Sequence, residues 1–287
     1  TTLFRSLLES VLGRFTSITQ GALYLKDLFD FFAIEPQIIS ATTTLPIPSP
    51  IKQGFVFENV GFRYPNSERW ACRNLSFTLQ AGEKLALVGE NGAGKTTLID
   101  ILTGFQAPSH GNVSLNGRNI QGDPELIRGK VGYASSHDPL FEEIGVEEFL
   151  TLIAKLKSLP SPKQAAQEAA REANLLEHLQ KKIRECSGGT KRRVSIASAI
   201  IGNPSLIFLD EPSTGVDPEN RRALWAAVSR MKRPNRIILL TTHHLEEAEY
   251  LSEDVIILNK GELAVRGSPE QIKQSLNVGY KLHIADI

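Results

Sequence analysis

Apolar positions over residues 1–32 recur at helical spacing: Leu3, Leu7, Leu8, Val11, Phe15, Ile18, Leu23, Leu28 and Phe31. They predict an N-terminal helix with no evident core partner in the chain. It either packs on its own domain or ends a longer element. Residues 34–53, with Pro36, Pro46, Pro48 and Pro50 among Ser and Thr, predict an extended linker. The period then shortens. Phe55-Val56-Phe57 and Leu75-Ser76-Phe77-Thr78-Leu79 predict antiparallel strands. Asn112-Val113-Ser114-Leu115 predicts another, entering a turn at Asn116-Gly117. Residues 142–180 read as helical, with an alanine-rich amphipathic middle over 165–173. Helix and strand alternate from there. Leu206-Ile207-Phe208-Leu209 and Ile237-Ile238-Leu239-Leu240 are continuous apolar runs, as strands buried on both faces of a parallel sheet require. Val255-Ile256-Ile257-Leu258 predicts a further strand. The fold class is α/β.

One segment changes the picture from architecture to chemistry. Gly89-Glu90-Asn91-Gly92-Ala93-Gly94-Lys95-Thr96 fits the phosphate-loop pattern G-x-x-x-x-G-K-[ST] without mismatch. A short strand over 83–88, expected to be buried, precedes it, and a helix opens with Thr97 and Leu98. Glycines let the backbone wrap an anion and aim its N–H groups inward. The helix start adds partial positive charge there. Lys95 is placed to reach β- and γ-phosphates, and Thr96 to hold Mg²⁺. The bland alternative is a glycine-rich turn without ligand, which rarely carries the whole pattern in this context.

Two further stretches carry chemistry. Asp210 and Glu211 end an apolar strand. With a phosphate loop upstream, Asp210 is expected to hold Mg²⁺ through its water shell. Glu211 is expected beside the γ-phosphate, where a carboxylate can deprotonate the attacking water. Without that loop the pair would be an acidic turn. Cys186-Ser187-Gly188-Gly189-Thr190-Lys191 opens a helix over 191–201 and forms a second anion-binding helix start.

In this order and spacing the set resembles the nucleotide-binding domain of ABC ATPases, over nearly all of residues 55–275. The resemblance implies a P-loop NTPase core with a mostly parallel sheet, an antiparallel β subdomain and a helical subdomain, preceded by the N-terminal helix. It divides the chain into helix (1–33), linker (34–53), ATPase domain (54–276) and tail (277–287). It implies ATP and Mg²⁺ as cofactors. It implies two such domains paired head to tail, as homodimer or heterodimer, with ATP between the phosphate loop of one (Gly89, Asn91, Gly92, Ala93, Gly94, Lys95, Thr96, Thr97) and Ser187, Gly188 and Gly189 of the other. Tyr64 matches the aromatic that stacks on adenine. The loop Ser213-Thr214-Gly215-Val216-Asp217 matches the one crossing the dimer interface. His243 matches the switch histidine at the γ-phosphate, with His244 its neighbour in register.

The resemblance shifts along the chain. Residues 1–128 are similar to bacterial-style exporters, in which the N-terminal segment continues a transmembrane helix into the cytosol. From Val131 onward, His137-Asp138-Pro139-Leu140-Phe141, Lys191-Arg192-Arg193, Ser213-Thr214-Gly215-Val216-Asp217-Pro218 and Gly267-Ser268-Pro269 are similar to the A subfamily, which mostly moves lipids. Ser136 stands where the family has a glutamine linking metal and water to the transmembrane domain. Serine is shorter and would reach the metal only through a bridging water, so hydrolysis or its coupling is expected to be weaker. Cys186 and Thr190 are milder departures.

Composition narrows the alternatives. With 32 basic and 32 acidic residues the formal charge is zero, which argues against a nucleic-acid partner. No run of about 18 apolar residues exists, so the chain does not itself span a bilayer. Two cysteines point to a reducing compartment, and no leader peptide is visible. The chain opens at Thr1, not Met, and is expected to be a piece of a longer polypeptide. The expected function is the motor domain of an ABC transporter at the cytoplasmic face of a membrane, joined to a transmembrane domain. The alternatives are a degenerate ATP-binding regulatory half and a soluble ABC ATPase.

Overall fold

The computed structural model describes residues 50–121, 127, 130–136 and 139–277. The expected N-terminal helix, all but the end of the linker, His137, Asp138 and the tail beyond Asn277 lie outside the described residues. The first half runs β1 (Phe55–Phe62), β2 (Cys72–Leu79), β3 (Lys84–Val88), α1 (Lys95–Leu102), β4 (His110–Leu115), β5 (Arg118–Asn119) and β6 (Val131–Ala134). Then come α2 (Val146–Leu156), α3 (Pro162–Glu172), α4 (Gly188–Ile200), β7 (Leu206–Asp210) and α5 (Pro218–Arg230). The chain closes with β8 (Ile237–Thr242), α6 (Leu245–Leu251), β9 (Asp254–Asn259), β10 (Glu262–Gly267) and α7 (Pro269–Asn277).

Two sheets form. One is antiparallel with strand order β2-β1-β4-β5, and Asn116 and Gly117 turn between its last two strands with φ of 52° and 74°. Positive φ at both central residues is what a tight hairpin demands. The other sheet has order β10-β9-β3-β8-β7-β6, parallel throughout except for the β10 edge. Its central strands β3, β7 and β8 are buried along their whole length. Side chains alternate between two cores, as the pleat dictates. Leu85, Leu87, Leu206, Phe208, Ile237 and Leu239 face the antiparallel sheet and α1. Ala86, Val88, Ile207, Leu209, Ile238 and Leu240 face the helices that follow.

The helical stretch expected over 142–180 is broken. It forms α2 and α3, with a turn between them in which Ser158 adopts φ of 55°. Pro162 is the reason: its ring fits the first position of a helix and disrupts an interior one. Ala166, Ala169 and Ala170 are the buried stripe of α3. The helix at Ser187 begins at Gly188, slightly earlier than expected, because Ser187 caps it by accepting the Thr190 N–H at 3.3 Å.

Phe208 joins the two sheets. It is fully buried on β7, and its ring lies 6.2 Å from Phe55 of β1. Phe208→Ala should lower unfolding free energy by about 3–5 kcal/mol, measured as a shift of the urea midpoint at constant slope.

Candidate nucleotide-binding site

The turn from β3 into α1 is shaped by glycine. Gly94 has φ of 96°, and a Cβ there would fall 2.3 Å from the Ala71 carbonyl oxygen. No L side chain fits that position. Gly92, with φ of 80°, has nothing within 4 Å of where a Cβ would stand. It borders open space large enough for a ligand's approach. No side chain caps α1, so its first N–H groups remain available to an anion. Lys95 Nζ donates to the carbonyls of Gly89 (2.7 Å) and Glu90 (3.1 Å) and lies 3.5 Å from Glu211 Oε1. The lysine is thus held over the loop by weak acceptors that a phosphate could replace.

Parallel pairing brings the acids to the same edge. Asp210 at the end of β7 is the register partner of Thr241 on β8, and Val88 of β3 pairs with Thr242. Buried Asp210 accepts hydrogen bonds from Thr241 Oγ1 (2.5 Å) and Thr96 Oγ1 (3.2 Å). Its charge, after the larger effect of burial, pushes the Asp100 carboxyl upward. Glu211 follows in the left-handed region with φ of 47°, a conformation costing about 1–3 kcal/mol for a non-glycine residue. Its N–H is held by Thr241 through Oγ1 (2.9 Å) and the carbonyl (3.1 Å). Its side chain accepts the Thr214 hydroxyl at 2.9 Å and stands 3.5 Å from His243 Nδ1. Burial works against ionisation of Glu211. The Thr214 hydrogen bond and the Lys95 and His243 charges together outweigh it, and the carboxyl sits below its ordinary pKa. His244, whose ring lies 3.9 Å from that of His243, is pushed down by burial and then by His243 and Arg221.

A cleft of about 290 Å³ is lined by Tyr64, Ala71, Asn91, Gly92, Gly94, Lys95, Thr96, Thr97 and Glu211. Most of the expected nucleotide residues therefore meet on one surface. Gly89 and Ala93 support it from beneath: Gly89 holds Lys95, and Ala93 is buried and bonds the Glu90 carbonyl through its N–H. Asp210 and His243 join through Thr96 and Glu211. Tyr64 is 44% exposed, and its hydroxyl lies 3.2 Å from Thr97 Oγ1. Ser187, Gly188, Gly189 and Ser136 do not line this cleft. A larger cleft of about 850 Å³, between α3 and the end of α5, contains none of the expected site residues.

The bonds that three residues make to the acid pair escaped sequence reasoning. Thr241 bonds both acids, and its signal was a polar Thr-Thr pair ending an apolar strand. Thr214 bonds Glu211 from the loop after it. Arg192 bonds the carbonyls of Asp210, Glu211 and Pro212, which no sequence spacing reveals.

Hydroxyl and carboxylate oxygens of Thr96 and Asp210 suit a hard cation such as Mg²⁺. Among the described residues no group of three or more His, Cys, Asp or Glu could hold a metal alone. A cation here needs phosphate oxygens and water to complete its shell, as the open face of Gly92 allows. The family model for ABC transporters matches residues 72–214. A solved ATP binding subunit of an ABC transporter is 30% identical, with a TM-score of 0.66, over 78% of this chain and 93% of that one.

The chain belongs to the ABC transporter family.

Two curated relatives of this ABC cassette are multiples of its length. ABC transporter A family member 9 of Dictyostelium discoideum is 37% identical over 237 residues, 82% of this chain and 28% of its own. The glucosylceramide transporter ABCA12 of Homo sapiens is 37% identical over 252 residues, 86% of this chain and 10% of its own. The chain thus spans less than a third of either relative. An ATP-binding cassette solved as a dimer in a post-hydrolysis state with ADP and Pi shares the fold, at 24% identity and a TM-score of 0.66, covering 75% of this chain and 98% of that one.

The depressed Glu211 pKa has a consequence for the stability of the cassette. A carboxyl whose folded-state pKa lies below its unfolded value of 4.5 stabilises the fold above that value. The contribution disappears as pH falls through the lower folded-state pKa. The stability difference between wild type and Glu211→Gln should be constant above about pH 6 and change progressively below about pH 4.5, in urea titrations across pH.

Proposed function

We propose that this chain is the ATP-hydrolysing motor of an ABC transporter, converting ATP to ADP and phosphate at the cytoplasmic face of a membrane. The convergence of Lys95, the Thr96–Asp210 pair and an ionised Glu211 on one cleft carries this reading. Lys95 exchanges its loop carbonyls for β- and γ-phosphate oxygens. Tyr64 at the rim stacks on adenine, and Asn91 and Thr97 complete the contacts to nucleotide. Thr96 and Asp210 would hold Mg²⁺, with Ser136 contributing through water, and the ion would supply charge neutralisation at the phosphates. Glu211 takes the proton of the attacking water. His243 orients that carboxylate and contacts the γ-phosphate.

The second half of each site comes from another copy or a related domain. The helix start at Gly188 does not line its own chain's cleft, and this supports head-to-tail pairing, in which Ser187, Gly188 and Gly189 close over the partner's phosphate loop. The two glycines differ in what they tolerate. A Cβ at Gly189 would lie 2.7 Å from Asn220 Cβ, whereas one at Gly188 meets only the Gly215 carbonyl oxygen at 3.7 Å. Gly189 thus serves packing within the chain as well, while Gly188 is left to the interface. Closure and opening of the pair drive a transmembrane domain. The names of the relatives support a lipid as the transported molecule.

Glu211→Gln should preserve ATP binding and slow turnover by at least about tenfold; unchanged steady-state turnover would refute the base assignment. Gly188→Ala should leave folding stability within about 0.5 kcal/mol yet abolish the rise of ATPase rate per molecule with protein concentration. A concentration dependence identical to wild type would exclude Gly188 from the interface.

A further inference from the structure

Arg192 lies one turn into α4, and its guanidinium points away from solvent toward the ends of two strands. It is 8% exposed. Nε donates to the Pro212 carbonyl at 2.9 Å, and Nη2 donates to the carbonyls of Asp210 at 2.7 Å and Glu211 at 3.3 Å. Nη1 donates to the carbonyl of Ser135. A single side chain therefore spans three consecutive carbonyls of the segment carrying both acids and one from the loop after β6. Guanidinium is the side chain suited to this, because its five N–H donors are fixed in one plane.

The segment it grips needs holding. Glu211 stands in the left-handed region, a conformation that persists only where surrounding bonds over-determine it. Thr241 holds the N–H side of that residue. Arg192 holds its carbonyl side. The next residue of α4 faces the other way: Arg193 Nη1 donates to the Asn174 carbonyl at 2.6 Å, just beyond α3. Adjacent arginines thus bracket the start of α4, one bonded to the acid-bearing segment and one to the helical layer.

We propose that Arg192 is a positioning residue for hydrolysis, holding the Glu211 main chain so that its carboxylate is aimed at the attacking water and tying that aim to the placement of α4 and the loop at Ser135. The proposal rests on the reading of Glu211 as general base. Arg192 touches neither nucleotide nor water in this role. It acts through Glu211, and a shift of α4 would pull on the same three carbonyls.

The test is a double-mutant cycle on the purified chain, read as single-turnover ATP hydrolysis together with KM for ATP. Arg192→Gln should reduce the hydrolysis rate by about tenfold or more, since small misplacements of a reacting group have effects of that size. KM should stay within about twofold of wild type, because the ligand cleft is not lined by Arg192. In the Glu211→Gln background the same substitution should cause no further loss, because residues acting as one unit are non-additive. Arg192→Lys, which keeps the charge but cannot reach all four carbonyls, should be intermediate; it carries the test if Arg192→Gln fails to fold. An Arg192 variant with wild-type turnover, or one whose full loss persists in the Glu211→Gln background, would overturn the assignment. Glu211→Gln alone reports on the underlying reading. If it turns over ATP at the wild-type rate, the base assignment fails; if it is slow while the Arg192 variants are not, only the role of Arg192 fails.

Discussion

The Thr241 hydroxyl donates to Asp210 at 2.5 Å and accepts the Glu211 N–H at 2.9 Å, at the point where β7 and β8 end side by side. The first bond is buried, where an unpaired carboxylate would be costly, and the second is half-buried. They require Asp210 and Thr241 to be register partners, as the parallel pairing of these two strands makes them. Slip the register by one and Thr241 would leave Asp210, and the Glu211 N–H would lose the two acceptors that hold its unusual backbone. The carboxyl edge of the sheet is therefore the constraint from which the site follows. Ligand crevices at the carboxyl ends of parallel strands are a general property of such sheets.

Around that edge the chain sets a positive pole against a negative one. Lys95 and the uncapped start of α1 face Glu211 and Asp210 across the cleft. The lysine bonds two loop carbonyls and lies beside Glu211, so neither charge is left stranded. The same contacts keep Glu211 ionised despite its burial. Cation and carboxylate are thus maintained by each other.

Much of this was legible in the sequence because local rules govern it. The phosphate loop announces itself through glycines whose backbone no other residue could follow, as the 2.3 Å approach at Gly94 demonstrates. Continuous apolar runs became the buried strands β7 and β8. The helical region read as one stretch became two, since apolar periodicity carried across a proline whose steric demand outweighs it. The hydrogen-bond partners of Glu211 were less visible. Thr214 and Thr241 are ordinary residues in sequence and become distinctive only when a carboxylate lies beside them.

What the sequence by itself determined is the set of chemical parts and their order: a loop for phosphate, an acid pair after an apolar strand, a second glycine-marked helix start, and the alternation that makes an α/β fold. Each depends on residues within a few positions of one another, so short-range sterics and hydrogen bonding are enough to specify it. Tertiary structure alone decided which parts meet. Thr96 reaches Asp210 across 114 positions and Arg192 reaches Ser135 across 57, distances along the chain that no local pattern encodes. Ser187 and Gly188 do not line that cleft, and α4 packs in the core on the opposite face of the sheet from α1. Those separations are set by strand order and packing, and by the geometric demand that buried polar groups find partners wherever the fold brings them.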